Sequence, residues 1–117
     1  MTHPATFDET TITQLLVDTG DDVEFVRELV DTFIADAPAL LEELRAPAGA
    51  DLEAQRRAAH SLASNASTLG ALELSRLARA VEHQARDGVA PSAAALDVVA
   101  AALTSAVASI EALDVWK

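Results

Sequence analysis

Apolar residues recur at three- and four-residue steps along almost the whole chain, and over no strand's length do they alternate with polar ones. That spacing gathers them on one face of a helix but scatters them over both faces of a strand, so it selects helices. The stripe Val26, Leu29, Val30, Phe33, Ala37, Leu40, Leu44 is one example, and Leu96, Val99, Leu103, Val107, Ile110 is another. Gly20, Gly49, Gly70 and Gly88 fall where the pattern stops or restarts, as suits glycine at helix ends. They divide the chain into five predicted helices at about 8–18, 22–45, 51–69, 71–87 and 91–114. Asp21, with Glu24 three residues on, is expected to cap the second, and Pro91 to occupy the first turn of the fifth. Pro38 interrupts a stripe that continues on both sides, so it is expected to kink the second helix rather than end it. Four long amphipathic helices joined by short loops predict an all-α, antiparallel up-down four-helix bundle. The short first helix is expected to lid one end, after a frayed tail over 1–7. One domain over 1–117 is the expected organisation.

Composition narrows the function classes. A chain of 117 residues can bury a core unaided, and the absence of cysteine excludes disulfides and zinc–thiolate sites. The formal net charge of −11 repels phosphate backbones and anionic headgroups, so neither a nucleic acid nor a membrane is an expected partner. The alanine- and valine-rich run 98–108 is broken by Thr104 and Ser105, and no bilayer-spanning segment of about 20 apolar residues is expected. The N-terminus has neither a basic n-region nor an apolar h-region, so no signal peptide is read there and a cytoplasmic location is expected. A monomer is expected. No Gly-x-x-x-x-Gly-Lys loop is present to hold a nucleotide.

His60 is the candidate functional residue. The apolar face of its helix reads Leu52, Ala59, Leu62, Ala66, Leu69, with Gln55 interposed. At about 100° per residue, His60 falls roughly 130° from the centre of that face and points toward water. Arg56 and Arg57 stand one turn before it, and Ala63 and Ser64 one turn after. An exposed nucleophile among small neighbours on a rigid helix suits chemistry performed on a partner's surface. His83 lies at a similar height along the next helix but faces outward, so no metal site is expected. His3 falls in the tail and has no assigned role.

The segment Ala59-His60-Ser61-Leu62, with Leu69-Gly70-Ala71 about ten residues on and the spacing Leu74, Leu77, Val81, Glu82 beyond, resembles the signature of histidine-containing phosphotransfer (HPt) domains of bacterial and plant phosphorelays. Upstream, Gly20-Asp21-Asp22, Phe25, Leu29, Phe33 and Asp36-Ala37-Pro38 resemble the family's second helix. The resemblance implies a bundle whose exposed histidine, here His60, takes a phosphoryl group from a receiver-domain aspartate and passes it on. It implies a response-regulator receiver domain and a sensor histidine kinase, or that kinase's receiver domain, as partners. No cofactor of the chain's own is expected, Mg²⁺ and the acidic pocket belonging to the receiver. The chain is thus expected to be a phosphoryl carrier rather than an autonomous enzyme. Two positions depart from the family's pattern: Ala63 replaces its usual lysine, and Ser64 its frequent glycine.

The residues themselves suit this chemistry. Imidazole is largely neutral near pH 7, and its ring nitrogen can attack an acyl phosphate to give a phosphoramidate. Arg56 and Arg57 either hold the phosphoryl oxygens in place of the absent lysine or are solvated and pair with Glu53. Glu82 either fixes the imidazole tautomer or is an exposed carboxylate. Arg79, one turn before it, adds positive charge or is likewise solvated. Ser64 and Ser67 form a flat strip beside His60, and Val23, Ile34 and Leu41 form a candidate docking stripe on the second helix. The competing reading is a non-phosphorylated adaptor that binds receiver domains, which the loss of lysine at Ala63 would suit.

Overall fold

The computed structural model describes residues 7–46 and 51–117, and every element among them is helical. The order is α1 (Glu9–Asp18), α2 (Val23–Leu44), α3 (Leu52–Thr68), α4 (Leu72–Arg86) and α5 (Ala93–Glu111), closed by a 3-10 turn at Asp114–Trp116. Position 49 and residues 1–6 of the expected tail, with His3, lie outside the described residues, while Phe7, the last residue of that tail, is half-buried against the core rather than frayed.

Carboxylates and a hydroxyl start four of the helices by accepting from backbone N–H groups that have no intrahelical partner. Asp8 accepts from Thr10, Asp51 from Glu53 and Ala54, and Ser92 from Ala95. Two expected starts shift by a residue or two. Asp21 does not cap α2: its φ of 63° places it in the left-handed turn with Gly20. The cap passes to Asp22, which accepts from Phe25 N at 3.0 Å. Pro91 stands just outside α5, because the side chain able to bond the first turn is Ser92. α2 continues through exposed Pro38 to Leu44.

α3 packs on both α2 and α4, while α5 packs on both α4 and α2. The seams have readable senses. Ser75 Oγ of α4 donates to Ala63 O of α3, while Glu82 of α4 reaches His60. Rising numbers on one helix meet falling numbers on the other, so the pair is antiparallel. Arg27 and Arg45 of α2 pair in the same reversed order with Glu111 and Asp97 of α5. The interior between these helices holds Val26, Val30, Leu62, Leu74, Val99 and Ile110, each almost wholly removed from water. Burying a side chain of this size stabilises by about 1.5–3 kcal/mol.

The α3–α4 turn sets the height of the site. Gly70 has a φ of +82°, which side chains disfavour. A Cβ there would collide with the carbonyl of Asp8, whose N–H donates to Gly70 O at 2.8 Å. Ala71 N donates to Ala66 O across the same turn at 2.9 Å. The short first helix therefore clamps this turn, and the turn in turn fixes which α4 residue stands opposite His60.

One expectation from composition changes. By length and composition, α5 is apolar enough to cross a membrane. Alanine, small enough to count as apolar yet tolerated at the surface, accounts for much of that character. In the fold, α5 buries Leu96, Val99, Leu103, Ala106 and Ile110 against the other helices.

Candidate functional site

α3 presents its small residues inward and one imidazole outward. Ala59, Ala63 and Ala66 are buried and allow α4 to approach closely, while the His60 side chain is 57% exposed. Opposite it, α4 directs Glu82 into the seam, where its side chain is only 4% exposed. His60 Nδ1 lies 2.8 Å from Glu82 Oε2. A carboxylate only accepts, so a neutral imidazole in this pairing carries its proton on Nδ1 and keeps its lone pair on Nε2. The exposed reading of Glu82 thus gives way to a buried one, because α4 is rotated so that Ser75 and Glu82, seven residues apart, both face α3.

A buried carboxylate needs compensation. It comes from Arg56 Nη1, 3.7 Å away on α3, and Arg86 Nη2, 3.4 Å away one turn along α4. Arg56 also grips Glu53 with two bonds of 2.9 and 2.6 Å. Those bonds hold the Glu53 carboxyl below the usual carboxylate range and raise the Arg56 guanidinium above its ordinary value. The two readings of Arg56 therefore coexist: it pairs with Glu53 and also stands beside the His60–Glu82 pair. Arg86 was missed from sequence, though its four-residue spacing from Glu82 was there to be read.

The other candidates take distinct places. Arg57 and Arg79 are exposed and form no hydrogen bond or ion pair among the described residues. Arg57 and Ser64 flank His60 at roughly 60° and 40° round the helix. Arg79 lies one turn before Glu82, at the height of Ser61 counted from the Gly70 turn. Ser64 is half-buried and Ser67 exposed one turn further on. Ala63, the site of the family's lysine, is fully buried and its carbonyl accepts from Ser75 Oγ at 3.0 Å. A lysine there would have to thread out between α3 and α4.

The expected docking stripe lies away from this region. Val23, Ile34 and Leu41 share a flank of α2 with Arg27 and Arg45, at steps of four and seven residues. Both arginines reach α5, and Val23 adjoins Trp116. Ile34 and Leu41 are half-buried there against the core. The flank of α2 that borders His60's helix is another one, carrying Leu29, Thr32, Asp36, Leu40 and Glu43 opposite Ser61, Asn65 and Thr68. Among the described residues, no group of three metal-ligating side chains converges.

The family model for the Hpt domain matches residues 28–113, most of the chain and all of this seam. The chain belongs to the Hpt domain family. Neither curated proteins nor solved structures yield a match. Hpt domains are carrier modules of two-component phosphorelays, and that is the setting in which the geometry of this one acts.

Proposed function

We propose that this Hpt domain is a histidine phosphotransfer protein, an up-down four-helix bundle that relays a phosphoryl group between receiver-domain aspartates through His60. The observation that carries the reading is the pairing of His60 Nδ1 with buried Glu82 while the rest of the ring stands in water. In the transfer, the Nε2 lone pair attacks phosphorus of the partner's aspartyl phosphate. The N–P bond forms as the P–O bond to the aspartate breaks, and the carboxylate leaves. The proton stays on Nδ1, so the ring becomes cationic, and Glu82 stabilises that charge at 2.8 Å. Passing the group to a second aspartate reverses each step.

The arginines have a part in this scheme. The phosphorylated ring adds roughly two negative charges to an already acidic protein. Arg86, Arg79 and Arg57 flank that position, and guanidinium groups hold phosphoryl oxygens well. They take the place of the lysine that Ala63 cannot supply. The receiver contributes Mg²⁺ and its acidic pocket, so the chain needs no nucleotide site of its own.

The test is incubation with a panel of phosphorylated receiver domains. Wild-type protein should gain acid-labile, base-stable label, and His60→Gln should gain none. A receiver that binds wild-type protein but leaves no label on it would support the adaptor reading instead.

A further inference from the structure

The charges of this protein are segregated across the face that carries His60. Residues 7–46 hold eleven carboxylates against two arginines, whereas 51–87 hold five of each. The two arginines of the first segment, Arg27 and Arg45, both turn toward α5. The flank of α2 that meets α3 is thus left without a cation of its own. It carries Asp36 and Glu43, both exposed. On the opposite side of His60, the exposed flank of α4 carries Arg76, Arg79 and Arg86. Arg76 is partly offset by its pairing with Glu73.

The acidic side is also the grooved side. Two clefts run between α2 and α3, and Asp36 and Asn65 line both. The first, of about 230 Å³, has Leu29, Phe33 and Leu69 for its apolar floor. The second reaches Leu40 and Ser61, the neighbour of His60. Phe25 stands one turn before Leu29 on the same flank and is 45% exposed. A strip of apolar contact edged by Asp36 and Glu43 thus leads toward the phosphoacceptor from the α2 side, with exposed Arg57 of α3 standing between it and His60.

We infer that the partner docks across α3 in a single orientation chosen by charge: a receiver domain whose acidic, phosphate-bearing pocket faces the arginines of α4, and whose adjoining surface places an apolar patch rimmed by lysine or arginine against the α2–α3 cleft. This rests on the proposed relay function and adds to it which receivers the chain accepts. Asp36, common to both clefts, is the residue that selects the partner's basic rim. Charge of this kind acts on encounter and orientation more than on the strength of the final contact. A receiver acidic on both sides of its pocket would be repelled by α2 and would transfer slowly.

The test compares three proteins with two phosphoryl donors. Asp36→Lys changes the cleft, and Glu42→Lys makes the same charge change on the outward side of α2, away from α3. Both positions are exposed, and far-UV circular dichroism checks that each variant keeps its helices. The donors are the receiver domain that transfers fastest to wild-type protein and phosphoramidate, a small donor that needs no docking surface. Asp36→Lys should slow transfer from the receiver by about tenfold at low salt, with the loss shrinking as salt screens it. Glu42→Lys should change that rate by less than about twofold. Labelling of His60 by phosphoramidate should be equal in all three. Equal losses in the two variants would trace the effect to net charge and overturn the inference, as would no loss in either or an equal loss with phosphoramidate. If no receiver transferred to wild-type protein, the relay reading itself would fall, and the inference with it.

Discussion

Two antiparallel seams cross-link this bundle with charge, and they differ in where the charge sits. Between α2 and α5, Arg45 meets Asp97 at 3.1 Å and Arg27 meets Glu111 at 2.6 Å, all on the surface. Trp116 adds an aromatic face 5.2 Å from the Arg27 guanidinium and donates to Ile110 O, which ties the C-terminal turn down. Between α3 and α4, one carboxylate is buried and three side chains converge on it: His60, Arg56 and Arg86. Surface pairs lose little solvation and contribute little. A buried carboxylate loses much of its solvation, so its partners are held in fixed places. The first seam joins two helices, and the second also positions a nucleophile.

This contrast can be broken at three levels. The largest effect should come from Gly70→Ala, which forces a Cβ toward the Asp8 carbonyl at a positive φ. A loss on the order of 3 kcal/mol is expected, read as a lower midpoint in chemical unfolding. A loss below about 1 kcal/mol would mean that the turn does not set the α3–α4 register.

Next, Glu82→Ala should cost about 1–3 kcal/mol and slow transfer to His60 by on the order of tenfold to a hundredfold. Glu82→Gln, whose carbonyl can still accept from Nδ1–H, should recover most of the rate. Equal rates in wild-type protein and Glu82→Ala would show that the ring needs no fixed orientation.

The smallest effect should come from Arg45→Ala, at about 0–1 kcal/mol, vanishing in high salt and leaving transfer rates unchanged. A larger loss there would erase the difference between the seams.

Much of the fold could be read from local pattern. The five helices begin and end within a few residues of the predicted bounds, because the spacing of apolar side chains and the capping groups act over a turn or two. The errors at Asp21 and Pro91 are of one kind: each has a neighbour whose side chain serves better as a cap. The outward direction of His60 was legible for the same local reason. The burial of Glu82 was not, since it depends on how far α4 is rotated about its own axis. α2 shows how far such reading reaches. It has leftover apolar residues on both flanks, and periodicity cannot tell which neighbouring helix covers which. Val23, Ile34 and Leu41 lie on the α5 side, while Leu29 and Leu40 line the clefts between α2 and α3.

By itself, then, the order of residues determined the helices, their inner faces and the outward imidazole, because each depends on spacing within one element. The tertiary structure decided that a glutamate 22 residues away would close on that imidazole, that Arg56 of the facing helix would join it, and that the carboxylates of α2 would edge one side of the cleft. Those outcomes turn on the relative rotation and height of packed helices. Small alanines at the α3–α4 seam and the clamped glycine at its turn settle these only once the chain has closed on itself.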